Sequence, residues 1–295
     1  QFIGNSFRKQ ETVRTEYMEF IAHRDFETGV CDAFLAYLAG NRQWDEFLIC
    51  DMQDSSATFR AIRQWRKKYG WFVFVRDADR GTRVQTRGTF TDYLSGLGRH
   101  TRLKLYNRRG YLEGLGDIEL EQATAGTTGM FFENLNRLHR RRWGDDCFSG
   151  KDLQFHRELL GRLVPGRQYE LSCIRHNEDP ISVIYNVTAG DVTYNLQSGF
   201  DENFDRKLSL GTLHLGLSIE KAFSDSTVNM FDLLAGSGKH EYYKSRYHGE
   251  DVEFITLQVA RTGFLKFIYR LYLLLPMQLK RQGNKVRGVR ADDTV

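Results

Sequence analysis

Residues Ile181 to Lys244 read ISVIYNVTAGDVTYNLQSGFDENFDRKLSLGTLHLGLSIEKAFSDSTVNMFDLLAGSGKHEYYK. Two runs rich in β-branched and aromatic residues, Ile181 to Thr188 and Val192 to Gly199, flank the turn-forming Ala189-Gly190-Asp191. A loop, Arg206-Lys207-Leu208-Ser209-Leu210-Gly211-Thr212, then opens straight into an amphipathic helix over 211–224, and a further strand follows over 228–234. This order predicts a ligand-binding βαβ unit. The first N–H groups of a helix lack partners within it and carry the positive end of its dipole, so they favour a phosphate or pyrophosphate. Gly211 would let the backbone come close to such a group, and Arg206 or Lys207 would offset its charge. An ordinary helix start with two surface bases would read the same way.

Working outward, Glu178-Asp179-Pro180 turns a third strand, Tyr169 to Arg175, into the first run, so an antiparallel meander is expected before the βαβ unit. Upstream, apolar spacing predicts helices over 129–143 and 155–163 and a strand over 117–122. Thr91 to Leu115 reads as one basic helical region carrying Arg99, His100, Arg102, Lys104, Arg108 and Arg109, either a solvated face or a rim that attracts anions. Helix and strand alternate again over 30–38, 47–50, 57–69 and 71–75, and 1–22 reads as edge strands around Phe2, Ile3 and Phe7 and around Tyr17 to Ile21. A strand over 252–259 precedes Phe264 to Met277, a Leu-, Phe- and Tyr-rich run interrupted by Lys266 and Arg270 and too short to span a bilayer. It is expected as a helix docked on the core, with peripheral membrane contact through 264–277 as the alternative.

The 295 residues, 41% hydrophobic and 27% charged, suffice for one large domain or two ordinary ones. Forty-two basic against 38 acidic residues leave +4, which suits an anionic ligand and is too small an excess to point to DNA. Cys31, Cys50, Cys147 and Cys173 are widely separated, without a Cys-x-x-Cys pair or a His cluster. No metal site or disulfide framework is expected, and free thiols fit a reducing, cytoplasmic setting, with the inner face of the membrane as the variant that 264–277 would add. The chain opens on Gln1 rather than Met, so sequence upstream of it is left open.

Several short motifs recur in a familiar order: Leu138-His139-Arg140-Arg141-Arg142-Trp143, the turn at Glu178 to Ile181, Ser198-Gly199-Phe200-Asp201, Ser209-Leu210-Gly211, Phe231 to Gly236 and Tyr243-Lys244. Together they resemble the CelD-like acetyltransferases of the GNAT superfamily, which are associated with cellulose or exopolysaccharide production and are similar in architecture to the FemAB enzymes. The resemblance implies an α/β GNAT-like acyltransferase fold of two tightly packed halves with mixed sheets, 1–118 and 119–262, followed by a helix and basic tail over 263–295. The second half would hold acetyl-CoA or another acyl-CoA as co-substrate. Its phosphate loop would be Arg206, Lys207, Ser209, Leu210, Gly211 and Thr212; Ser209 replaces the family's first Gly, and Leu210 stands where Pro is common.

The resemblance also implies an amine or hydroxyl acceptor on a small molecule or saccharide. Asp232, a carboxylate in an apolar run, would hold the acceptor or take its proton, or else pair with Arg142 or Lys244. Tyr243 would protonate the departing thiolate and His139 would serve as acid or base. Arg142, Trp143 and Lys244 would bind substrate, although Trp143 equally suits a core position. An aminoacyl-tRNA-dependent transferase of FemAB type and a non-catalytic binding protein of the same fold are the competing readings; the first would bring tRNA as a partner.

Overall fold

The protein is described here by a computed structural model covering residues 2–3, 14–236 and 243–274. In chain order its elements are β1 (Phe2–Ile3), α1 (Glu27–Gly40), β2 (Glu46–Gln53), α2 (Ala57–Tyr69), β3 (Phe72–Gln85), α3 (Phe90–Gly96), α4 (Arg99–Arg102), α5 (Arg109–Glu113), β4 (Ile118–Gln122), α6 (Thr128–Trp143), α7 (Gly150–Leu160), β5 (Tyr169–His176), β6 (Asp179–Ala189), β7 (Val192–Phe200), α8 (Leu210–Ser224), β8 (Met230–Ala235), β9 (Glu250–Ala260) and α9 (Gly263–Leu274). The fold is α/β with mixed parallel and antiparallel pairing, as the alternation of helical and strand runs predicts.

The chain divides into two compact units. The first comprises 1–81, 235–242 and 252–295; the second comprises 82–234 and 243–251. They do not part at the expected 118/119 divide, because 82–118 fold with the second unit, and α9 belongs to the first rather than standing apart.

In the first unit β2 pairs parallel with β1 and antiparallel with β9. Helices α1 and α2 bury Cys31, Leu35, Leu38 and Ile62 against Phe47, Ile49, Met52, Ile255, Leu257 and Val259. Ser56 starts α2 by accepting a bond from Phe59 N–H at 3.1 Å, and Gly70, at φ 62°, ends it in the left-handed conformation that glycine adopts without strain. The expected strand at Tyr17 to Ile21 does not form. Met18 N–H bonds Asp51 O, Phe20 N–H bonds Thr58 Oγ1 at 2.9 Å, and the Phe20 ring enters the core, so side-chain burial and single bonds replace a ladder. Phe7 lies outside the described residues.

In the second unit the strand order is β8-β7-β6-β5-β4, with β4 to β7 an antiparallel meander and β8 parallel to β7. Alternate residues of β5 and β6 feed opposite cores, as period-two side chains must. Leu171, Cys173, Val183 and Tyr185 meet Phe131, Phe132, Leu135 and Leu138 of α6 and Leu160 of α7. On the other face, Ile174 and Ile184 meet residues of α8. The expected helix over 91–115 is broken into α3, α4, a π-helical turn at Leu103–Asn107, and α5. Gly96-Leu97-Gly98 interrupts it first, Leu97 being extended at ψ 140°. The π turn lies where the Leu105 backbone presses on Gly216 of α8, so closely that a Cβ at 216 would overlap the Leu105 carbonyl.

Candidate functional site

The site is built by β7, α8 and β8, the βαβ unit expected from the sequence. Their parallel ladder is short: Val192 pairs with Met230, Thr193 with Phe231 and Tyr194 with Asp232, and there the register stops. β7 runs on to Phe200, bonded on its other side to β6, so among the described residues its β8-facing edge has no strand register between 195 and 200. The register of β7 against β6 also slips between Tyr185/Gln197 and Asn186/Asn195, leaving Leu196 as an extra residue, a β-bulge at the mouth of the opening. Asn195 Nδ2 bonds Asn186 Oδ1 at 2.9 Å and Asn186 Nδ2 bonds Glu170 Oε2 at 3.2 Å, which ties the bulged strand to its neighbours. Two parallel strands that diverge at their carboxyl ends beside a helix start form the crevice in which open α/β sheets take ligands.

The first turn of α8 lies between these strands in sequence. Ser209 occupies its N-cap position without lending its hydroxyl to the helix, so the cap side chain satisfies none of the first-turn N–H groups. Arg206 and Lys207 are exposed. Asp205 shapes the loop by accepting from Lys207 N–H at 2.6 Å and from the Tyr111 hydroxyl at 3.0 Å. Lys207 Nζ and the Arg108 guanidinium lie 5.3 and 5.6 Å from the Tyr111 ring centre, which gathers three cations, with Arg206, around this loop. Leu210 differs from expectation: its side chain is buried among Leu112, Ile174, Ile181 and Leu213, so only its backbone is available to a ligand. Thr212 is half-buried. Gly211 is small for a reason the sequence did not reveal: a Cβ there would overlap the Phe200 ring.

α8 is held from beneath by a buried polar bridge. His214 Nε2 lies 2.7 Å from Ser172 Oγ of β5, and Nδ1 lies 2.9 Å from Ser182 Oγ of β6. The imidazole is wholly buried, and burial pulls its pKa down to about 3, so it is neutral.

Asp232 is almost completely buried near the end of β8. Its Oδ2 accepts from Arg83 Nε at 3.1 Å, and its Oδ1 accepts from Leu234 N–H at 2.7 Å, holding Leu234 at φ 54°. Arg83, which lies beyond the strand expected over 71–75, is thus a partner of Asp232, because β3 runs on to Gln85. Tyr194 lies opposite Asp232, and burial first, then the Asp232 charge, raises the pKa of its phenol. Lys244, expected to bind substrate, is buried, and Nζ donates to the carbonyls of Leu233 and Leu234 at 2.8 and 2.9 Å, fixing the β8 end. Tyr243 begins a 3-10 turn, Tyr243–Tyr247; its side chain lies outside the described residues.

The α6 residues form the other margin. Arg142 stacks between Phe200 and Trp143, at 4.5 and 4.9 Å from the ring centres, and its Nε is 2.8 Å from Glu202 Oε1. It therefore sits at the end of β7 beside the aromatic ring that covers Gly211. His139 Nδ1 lies 2.8 Å from the Asp145 carbonyl, and its ring is 6.2 Å from that of Trp143, an arrangement that orders the turn after α6. Among the described residues no cluster of His, Cys, Asp and Glu could hold a metal ion. A cleft of about 480 Å³ lined by Arg87, Asp92, Tyr93, His248 and Glu250 is associated with the amino-terminal end of β8, where Arg87 bonds Asn229, rather than with the opening.

Residues 99–245 match the model of the acetyltransferase (GNAT) domain family. No curated protein matches the chain. Among solved structures, FemX superposes with a TM-score of 0.54 at 12% identity, covering 77% of this chain and 76% of its own. L-PGS from Bacillus licheniformis gives 0.51 at 11% identity over 85% and 78%. A conserved protein of unknown function from Bacteroides thetaiotaomicron gives 0.51 at 9% identity over 78% and 75%. At such identities the likeness is one of fold.

Proposed function

We propose that this protein, a member of the GNAT superfamily, transfers an acyl group, acetyl in the simplest case, from acyl-CoA to an amine or hydroxyl of a small or sugar-linked acceptor. The observation that carries the reading is the opened β7/β8 pair beside the first turn of α8. An extended, amide-bearing chain such as pantetheine can bond a free strand edge as an added strand would, while the pyrophosphate meets the helix start and Arg206 and Lys207.

Transfer then proceeds by direct attack in a ternary complex. The acceptor nitrogen or oxygen bonds to the thioester carbon, negative charge gathers on the carbonyl oxygen, the C–S bond breaks, and the acceptor's proton passes to a base while the thiolate is protonated to free CoA. Asp232 is the proposed acceptor-holding group, oriented by the bond from Arg83. Tyr243 is proposed to protonate the thiolate and His139 to be the alternative acid or base, with Arg142 and Trp143 at the acceptor side. Lys244 would act by fixing the carbonyls at the end of β8. The CelD-like motif order supports an acceptor in cellulose or exopolysaccharide production and a cytoplasmic setting.

The test is calorimetric titration of the protein with CoA and acetyl-CoA beside an Arg206→Glu/Lys207→Glu variant, whose changes are both on the surface. Saturable binding weakened roughly tenfold or more in the variant supports the reading, since two charge reversals beside a pyrophosphate each cost about 1 kcal/mol or more. Absence of binding by the folded protein refutes it. The likeness to FemX and the exposed Arg99, His100 and Lys104 favour a second reading, transfer from aminoacyl-tRNA, which predicts salt-sensitive tRNA binding instead. CoA binding without thioester consumption across an acceptor panel would favour a non-catalytic binding protein.

A further inference from the structure

Helix α9 has two apolar faces and only one is used. Leu265, Tyr269 and Tyr272 are half-buried at helical spacing within the first unit; the Tyr269 hydroxyl bonds Glu46 and receives a bond from Gln258 Nε2 at 2.5 Å, and the Phe74 ring packs 5.2 Å away. This is the docked helix expected from sequence. On the opposite side Phe264, Phe267, Ile268, Leu271 and Leu274, spaced at i, i+3, i+4, i+7 and i+10, are all exposed, Phe264 by 73% and Leu274 by 80%. A continuous stripe of large side chains facing water is unfavourable by the usual area rule and marks an interaction surface.

The charge around the stripe identifies its occupant. By helical spacing Lys266, which is half-buried, and Arg270, which is exposed with its guanidinium 5.5 Å from the Phe72 ring centre, lie on the third side of the helix, Arg270 next to the stripe. Beyond Leu274 the sequence adds Leu275, Met277 and Leu279, then Lys280, Arg281, Lys285, Arg287 and Arg290 with no acidic residue before Asp292. A second copy pairing through this face would bring two like-charged basic segments into one assembly. Residues 280–295 offer only Val286, Val289, Ala291 and Val295 as apolar cover, too little for five large side chains. An amphipathic helix with basic residues at its border and a polybasic continuation fits a bilayer surface rich in anionic headgroups, with the stripe in the headgroup and acyl boundary and the cations over the phosphates. The helix is not of spanning length or composition: among the described residues none is long and apolar enough to cross a membrane.

We propose that α9 lays its Phe264–Leu274 stripe on an anionic membrane surface and that the basic residues 280–290 strengthen this contact. The inference is independent of the acyl-transfer reading. The test is flotation of the full 295-residue chain with vesicles of phosphatidylcholine alone and with one third phosphatidylglycerol. The expected partition coefficient is at least about tenfold higher for the anionic vesicles and falls steeply with salt. Phe267→Asp/Leu271→Asp, both at exposed positions, should abolish partition without moving the urea midpoint, and Lys280→Gln/Arg281→Gln should lower it roughly tenfold or more. Equal partition to the two vesicle types, no partition by the wild type, or unchanged partition of the Phe267→Asp/Leu271→Asp variant would each overturn the proposal. So would concentration-dependent dimerisation that this variant removes in the absence of vesicle binding, which would assign the stripe to a second copy.

Discussion

Replacing His214 by Leu should change both the stability of the protein and its dependence on pH, in opposite senses. At pH 7 the variant loses two side-chain bonds and leaves Ser172 Oγ and Ser182 Oγ without the partner that now spans them; both serines are buried. Leaving a buried hydroxyl unsatisfied costs about 1–3 kcal/mol, so for two the loss at pH 7 is about 2–6 kcal/mol, reduced by whatever bonds the hydroxyls find to backbone. The wild-type imidazole, however, has a folded pKa of about 3 against the ordinary 6.5. Below pH 6.5 the unfolded chain takes up a proton that the folded chain refuses, so the stability tied to neutral His214 is complete above pH 6.5 and drains away as pH falls toward 3. Between pH 7 and pH 4 this amounts to about 3 kcal/mol, from the two and a half units between 6.5 and 4 at about 1.4 kcal/mol each. A leucine does not titrate. The gap between the two proteins at pH 7 should therefore shrink by about 3 kcal/mol at pH 4. His156, depressed to about 4 by burial, slopes the same way in both and cancels in the difference. Urea unfolding followed by far-UV ellipticity at pH 7, 6, 5 and 4 measures it. A gap that stays constant across that range would show that His214 is not a buried neutral bridge, and with it would fall the account of how α8 is anchored.

Asp232→Asn keeps the size and the bond from Leu234 N–H while removing the charge that faces Arg83; turnover should fall at least about tenfold with CoA affinity changed no more than about twofold, and wild-type turnover would remove Asp232 from the acceptor site. Gly216→Ala places a methyl group on the Leu105 carbonyl and 2.8 Å from Leu105 Cγ, so the π turn and α8 must separate; a loss of about 3 kcal/mol in urea unfolding is expected, and an unchanged midpoint would contradict the close helix approach.

Much of the local structure was legible because it follows from periodicity. α2 coincides with its predicted span, and the β5–β6–β7 meander and the β7–α8–β8 unit follow from apolar period and turn residues. What escaped depends on partners distant in the chain. Asp77, Asp79, Arg80 and Arg83 give β3 no apolar alternation, and strand pairing decides its length. The Asp232–Arg83 pair joins positions 149 residues apart, and nothing local to either announces the other. Gly211 reads as a phosphate-loop glycine, but its immediate steric reason is Phe200, eleven positions earlier on another element. Lys244 reads as a substrate-binding cation because burial against two carbonyls cannot be inferred from a flanking tyrosine. The bulge at Leu196 left no mark in the run Val192 to Gly199, since an inserted residue in a strand of mixed polarity breaks no obvious alternation.

The discontinuity of the first unit also bears on the order in which the chain can fold during synthesis. β2 lies near the amino terminus, and its antiparallel neighbour β9 ends at Ala260, roughly 200 residues later, so that ladder carries a high loop-closure cost. The second unit runs almost without interruption from Thr82 to Leu234 and needs only 243–251 to complete it. On a ribosome adding about 5–20 residues per second, β2 waits for its partner for on the order of ten seconds or more, with its apolar residues already emerged, while the meander and α8 can assemble. Chaperone capture during translation should therefore concentrate on the β2 region, and release should come only after β9 has cleared the exit tunnel.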